Sequence, residues 1–175
     1  MSNSRSTRPL PSPPLQIGPR PPMLPSMKKL MLTLAATVAV GLSVLAAEAW
    51  STDYAAAQSL AKKDGKVILI DFTGSDWCGW CIRMKKEALD LKEFTDYATK
   101  NVVLFEADFP NKKPQSDDLK KQNKDLQKKY AVNGFPTFVL VDADGKELGR
   151  QVGYLKGGPS AFVNKIEEWK KSSAK

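Results

Sequence analysis

Residues Val67 to Met84, VILIDFTGSDWCGWCIRM, constrain this chain more than any other stretch. Val67-Ile68-Leu69-Ile70 and Phe72 form a dense β-branched and apolar run with no polar alternation. That pattern predicts a strand buried on both faces, as at the centre of an α/β sheet. Thr73-Gly74-Ser75-Asp76 breaks the run into a loop. Trp77-Cys78-Gly79-Trp80-Cys81 follows, and Ile82-Arg83-Met84-Lys85-Lys86-Glu87 are helix formers. Cys78 is therefore predicted at a helix N-terminus, where free N–H groups and the helix dipole stabilise a thiolate. Cys81, one turn on and on the same face, is near enough to close a disulfide.

Two other uses of such a pair are weaker. A closed zinc site needs about four ligands, and the chain has two cysteines and no histidine. A purely structural bridge across so short a loop removes little entropy from the unfolded chain. Redox chemistry remains. The missing histidine also removes Cys-His and Ser-His-Asp constellations, and with them hydrolases that rely on an imidazole base.

Strand, loop, Trp-Cys-x-x-Cys and helix, followed far downstream by Gly134-Phe135-Pro136-Thr137, resemble the thioredoxin superfamily. The resemblance covers about Trp50 to Lys171. It is most similar to secreted bacterial thioredoxin-like proteins with a Phe-Thr-Gly-Ser loop before the cysteines. It implies a thioredoxin-like α/β fold, a central mixed β-sheet with helices on both faces. It also implies that Cys78 is the nucleophile and the more exposed thiol, and that Cys81 is buried and resolves the mixed disulfide. Pro136 is expected to be cis and opposite the cysteines, with the Phe135 backbone offered to an extended substrate segment. An ordinary edge-strand proline is the alternative.

Asp71 matches, by type and strand position, the buried acid that helps deprotonate the resolving cysteine in thioredoxins. Its spacing to Cys78 is one residue longer than the common pattern. The alternative is a strand-end acid facing water. Trp77, Gly79, Trp80, Phe135 and Pro136 form the expected substrate-contacting set. Trp77 is expected beside Cys78. Trp80 is either a hydrophobic lip for protein substrates or packed on the loop at Phe135. Strongly oxidising relatives carry a histidine between the cysteines. Here Gly79-Trp80 stands there, so a moderately reducing couple is expected, nearer the thioredoxin end of a range of roughly −270 to −120 mV.

The rest of the chain sets context. Residues 1–26 hold eight of the twelve prolines, a composition that cannot bury enough surface to fold. They read as a disordered extension, or translation begins at Met27. Met27-Lys28-Lys29, the apolar Leu30 to Leu45 and the small-x-small Ala47-Glu48-Ala49 form a signal peptide over 27–49, cut before Trp50. A single domain then runs over 50–175. Export places it in the periplasm or outside the cell, where disulfides persist, and limits membrane contact to the transient signal. The net charge of +8 falls to +4 once the five basic residues and one acidic residue before Trp50 are set aside. Interspersed signs of that size describe a solvated surface rather than a nucleic-acid footprint.

Further elements follow from periodicity. Ser51 or Thr52 is expected to cap a helix over Asp53 to Lys63, stopped by Asp64-Gly65. Leu91 to Lys100 continues the site helix or forms a second one. Val102 to Asp108 reads as a strand parallel to the first, joined through the site helix. Asn111 to Asp118 reads as a disordered polar loop. Leu119 to Tyr130 is an amphipathic helix. Phe138 to Val141 and Lys146 to Gly153 form a hairpin, and Ser160 to Lys171 a last helix packed on the sheet.

The expected function is a monomeric thiol-disulfide oxidoreductase exchanging disulfides with protein substrates, by reduction or isomerisation. Its cofactor is none beyond the Cys78–Cys81 couple. With no nucleotide or flavin motif, its electrons come from an upstream reductant. The rivals are a Cu(I) carrier using both thiolates, with Met84 as a further ligand, and a non-catalytic binding module on the same fold.

Overall fold

The computed structural model describes residues 50–173. The expectations for residues 1–26 and for a signal peptide over 27–49 lie outside that range. Strand β1 (Val67–Thr73) is buried along its whole length after Val67. It occupies an inner position in a four-stranded sheet of order β2-β1-β3-β4. β2 (Val102–Asp108) runs parallel to β1, with Val67 opposite Val102 and Thr73 opposite Asp108. β3 (Thr137–Val141) and β4 (Glu147–Val152) close the other side as antiparallel neighbours. The parallel pair is joined by helices, because parallel strands need a long crossover.

Side chains on β1 alternate between two cores. Ile68, Ile70 and Phe72 point into one with Tyr54, Ala57 and Ala61 of α1 (Tyr54–Asp64) and Leu126 and Tyr130 at α4 (Asp117–Lys129). Leu69 points into the other. There it meets Met84 of α2 (Gly79–Met84), Phe94 of α3 (Lys92–Asn101), and Phe162, Ile166 and Trp169 of α5 (Gly158–Ser173). Each buried Leu, Ile, Phe or Met side chain among these contributes about 1.5–3 kcal/mol. Asp71 and Thr73 follow Leu69 at a period of two, so they face the α2 side of the sheet. That alternation brings a carboxylate beneath the site helix.

Local chemistry sets the boundaries. Asp53 caps α1, its carboxylate accepting the Ala56 N–H at 3.0 Å. Ser51, expected as a cap with Thr52, instead pairs with the outer edge of β2. Its N–H donates to the Leu104 carbonyl at 3.0 Å, and its carbonyl accepts from Glu106 at 2.9 Å. Gly65 ends α1 in the left-handed region at φ 65°, where glycine carries no Cβ penalty.

α2 does not continue as a regular helix. Lys85–Leu89 form a π turn, closed by the Asp90 N–H on the Lys85 carbonyl at 2.8 Å. The wider turn brings both Ala88 and Leu89 under the core with Met84 and leaves Lys85 beside β1 and β2. Leu91 is extended, so α3 is a separate helix. α5 approaches β4 at Gly149, where a Cβ would lie 2.2 Å from the Trp169 ring.

Candidate active site

The site begins where β1 ends. Gly74 turns the chain, and its carbonyl accepts N–H groups from Trp77 at 3.2 Å and Cys78 at 2.9 Å. This turn presents Cys78 as the N-cap of α2. Cys78 and Cys81 are joined as a disulfide with Cα atoms 5.2 Å apart. The Cys78 sulfur also accepts the Cys81 backbone N–H at 3.2 Å. One of the unpaired donors of the helix start is thus aimed at the sulfur expected to carry negative charge. Cys78 and Cys81 are 7% and 5% exposed. In the oxidised state the two thiol positions are equally buried, so the expected contrast in exposure is not present.

Asp71 lies mid-strand and is 6% exposed, which excludes the reading of an acid facing water. Asp71 and Cys81 line one cavity of about 140 Å³, together with Lys85 and Glu106. The Asp71 Oδ1 has no hydrogen-bond partner among the described residues. Burial pushes its carboxyl well above the ordinary range; the Glu106 carboxylate adds to this, and Lys85 opposes it. A carboxylate that readily holds a proton, sharing a cavity with a thiol, can act as a proton acceptor near neutral pH.

Aromatic groups flank the disulfide on two sides. Trp77 is 46% exposed. Its indole packs edge-on against Phe135 with ring centres 5.9 Å apart, and its Nε1–H donates to the Phe109 carbonyl at 2.7 Å. Phe135 stacks on Phe109 at 5.1 Å. The Phe135–Pro136 peptide is cis, and Pro136 is buried. The Trp77 contact therefore brings this segment beside the residue preceding Cys78. Trp80 is 56% exposed and packs on Tyr154 at 5.5 Å. The Arg83 guanidinium lies over both rings, 5.6 Å from Trp80 and 4.9 Å from Tyr154. Glu87 holds the Tyr154 hydroxyl and the Arg83 Nε–H. Gly79, at the first helical position, is exposed.

The profile of the thioredoxin-like domain family matches residues 54–168. The chain belongs to that family. It is a thiol-disulfide oxidoreductase with a Cys-x-x-Cys centre. It is 42% identical over 114 residues to the disulfide bond reductase DsbH of Chlamydia pneumoniae, covering 65% of this chain and 68% of that protein. It is 31% identical over 101 residues to the thioredoxin-related protein DsbJ of the same organism, covering 58% of this chain and 29% of that one. Among solved structures, DsbH oxidoreductase aligns with a TM-score of 0.66 at 37% identity, over 80% of this chain and 98% of its own. A thioredoxin from Thermus thermophilus shares the fold, with a TM-score of 0.53 at 21% identity, over 70% of this chain and 86% of its own.

Of the two readings of Trp80, packing on the loop at Phe135 is the one the structure excludes. Trp77, not Trp80, packs on Phe135; Trp80 turns the other way, onto Tyr154. Opposite directions follow from position: Trp77 lies in the turn, Trp80 in the first turn of α2. Tyr154, Arg83 and Glu87 are site residues that sequence reasoning missed. Arg83 and Glu87 at i, i+4 carried a helix-pair signal, but nothing local marks Tyr154 as their partner.

The loop after β2 is also part of the site. Asp76 accepts the backbone N–H groups of Asn111, Lys112 and Lys113 at 2.9, 2.7 and 3.1 Å. Those bonds, the Asn111 one foremost, hold its carboxyl below the usual range. Ser75 donates to the Asp108 carboxylate through N–H and Oγ–H, at 2.9 and 2.6 Å. The segment expected as a disordered polar loop is tied to the turn that carries Cys78, because Asp76 supplies the acceptor its amides need.

Proposed function

We propose that this oxidoreductase works on the exported side of the membrane and reduces or isomerises disulfides in protein substrates. The observation that carries the reading is the cavity shared by Cys81 and Asp71, whose Oδ1 has no hydrogen-bond partner among the described residues. In the reduced protein the Cys78 thiolate attacks one sulfur of a substrate disulfide. A Cys78–substrate disulfide forms, and the other substrate sulfur leaves as a thiolate. Asp71 takes the proton from the Cys81 thiol. The Cys81 thiolate then attacks Cys78, the Cys78–Cys81 bond forms, and the second substrate thiolate departs. Two electrons pass to the substrate, and a partner dithiol must return them, since the chain carries no electron-donating cofactor motif.

Four features support the finer points. Gly79-Trp80 between the cysteines leaves no imidazolium to stabilise Cys78 as a leaving group, which favours a reducing couple. The similar protein of Chlamydia pneumoniae is named a disulfide bond reductase. The signal-like segment before Trp50 suits a compartment where substrate disulfides persist. Trp77, Phe135 and Trp80 offer apolar walls to a polypeptide on either side of the sulfurs, and the Phe135 backbone offers an extended segment a pairing edge.

The test is capture. Cys81→Ser expressed in its native host should accumulate mixed disulfides through Cys78 with exported proteins. Equilibration of the wild-type couple against glutathione should give a potential near the thioredoxin end of the range. A strongly oxidising potential, with no trapped protein, overturns the reading.

A further inference from the structure

Three hollows adjoin one another on the side of the site that carries Trp77 and Phe135. The first, of about 300 Å³, lies between Trp77, the loop after β2 and α4, and is lined by Lys113, Lys120 and Lys124. Lys124 also lines the second, with Lys128. Asn133 is shared by the second and the third, which reaches Gly134 and Arg150. Every titratable side chain lining the three is basic. Signs that are interspersed along the sequence are therefore sorted in space.

Carboxylates on the surrounding elements do not neutralise this row. Asp76 is taken up by the amides of Asn111, Lys112 and Lys113, and Asp108 by Ser75. Asp125 pairs with Lys121, and Asp118 acts on Lys121 as well; that lysine lines none of the hollows. Glu147 holds Arg150. Asp117 reaches Lys120 at 3.3 Å but is fully exposed, where an ion pair is weak. Lys124 and Lys128 have no ion-pair partner among the described residues. Like charges four residues apart, as at Lys120, Lys124 and Lys128, weaken a helix, so the fold itself gains nothing from the row.

We propose that these lysines form a recognition surface for substrate polypeptides that carry acidic side chains beside their disulfide. This rests on the protein exchanging disulfides with polypeptides, and it names which ones. Trp77 walls the first hollow and directly precedes Cys78. Phe135 packs on Trp77, and Gly134 before it lines the third hollow. A chain held by its sulfur at Cys78 and by its backbone at Phe135 thus has its flanking residues beside the lysines. Ammonium groups on flexible stems suit carboxylates spread along a chain. An isolated anion is poorly served, because the loop amides that could cradle it are already bound to Asp76. A surface of one sign also speeds encounter with a chain of the other.

The experiment uses the reduced full-length protein and two synthetic peptides, each closed by one disulfide. One carries Asp and Glu on both flanks, and the other carries Asn and Gln in their place. Wild type should reduce the acidic peptide with a kcat/KM about tenfold higher or more. The ratio should fall toward one in about 1 M salt, where the screening length is roughly 3 Å. Lys120→Gln combined with Lys124→Gln should bring the ratio toward one, and Lys120→Glu with Lys124→Glu should reverse the preference. Lys63→Gln with Lys121→Gln removes the same charge away from the hollows and should keep the wild-type ratio. A wild-type ratio near one overturns the proposal, as does an equal fall in the Lys63 and Lys121 pair, which would make net charge the cause. Binding to phosphatidylglycerol vesicles that is lost in the Lys120 and Lys124 pair, with no peptide preference, assigns the row to a membrane surface and overturns it too. Reduction of neither peptide overturns the protein-disulfide reading itself, and the proposal falls with it.

Discussion

Trp77 lies so closely over Gly74 that a Cβ on the glycine would come within 2.5 Å of the indole ring. The turn that delivers Cys78 and the aromatic wall beside it are thus one packing unit, and residue 74 must be glycine for the two to coexist. Gly74→Ala should expel the indole, break its bond to the Phe109 carbonyl and separate Trp77 from Phe135. Overpacking of this kind costs about 1–3 kcal/mol, to be read as a lower denaturant midpoint. The Trp77 indole N–H should also lose its hydrogen-bonded NMR shift. Wild-type stability and an unmoved indole resonance would show that the turn can relax around the added methyl.

Asp71 makes stability depend on pH with a definite sign. Its folded-state affinity for protons is raised, by burial first. Between the ordinary carboxylate range and that raised value, the folded state holds a proton that the unfolded chain has lost. Stability must then fall as pH rises through this window, by about 1.4 kcal/mol for each pH unit separating the two values. Asp71→Asn cannot ionise, so its slope should be flatter and its advantage over wild type should grow from acid to neutral pH. Thermal melts of both oxidised proteins across that range check this. Parallel curves would mean that Asp71 titrates as an exposed acid does.

The legible part of this molecule was carried by strong, local signals. Val67 to Phe72 had no polar alternation, and β1 is buried accordingly. Cys78 and Cys81 were placed by the strand-to-helix transition around them. What stayed hidden depends on contacts between distant residues. Asp76 read as a loop residue, and its acceptor role requires amides from Asn111 to Lys113, which pair with it only once β1 and β2 lie side by side. The π turn at Lys85–Leu89 has no sequence mark, because it is imposed by the need to bury both Ala88 and Leu89. Ser51 was read as a cap since local propensity favours it, whereas the free edge of β2 claimed its backbone and left the cap to Asp53. Tyr154 follows a strand end and gave no sign that it would reach Trp80.

Asp76 predicts where the site loses order in acid. Its carboxyl is held below the usual range by three backbone N–H groups. Whatever it contributes is present above the ordinary carboxylate range and is lost as pH falls through its depressed value. Asp76→Ala should therefore lower amide protection factors at Asn111, Lys112 and Lys113 at neutral pH, and leave those in β1 unchanged. In wild type the same three amides should lose protection together on acidification. Protection that persists in the variant would show that the loop is held by Gln115 and Asn123, both of which donate to the Asp108 carbonyl, and not by Asp76.

The orientation of Trp80 separates protein substrates from small ones. The ring is more than half exposed, yet it is fixed by Tyr154 on one side and by Arg83, which Glu87 holds in turn. A large apolar surface held rigid in solvent loses little conformational entropy when a polypeptide covers it. Tyr154→Ala removes that support without touching either cysteine. The KM for a protein disulfide should rise several-fold in this variant, while kcat and the rate with a small aromatic disulfide stay near wild type. Trp80→Ala should give the same split, and the double variant should add little to either, since both changes remove one surface. Equal losses with protein and small-molecule disulfides would place the effect on the sulfur chemistry instead, with Trp80 acting on Cys78 or Cys81 and not on the substrate chain.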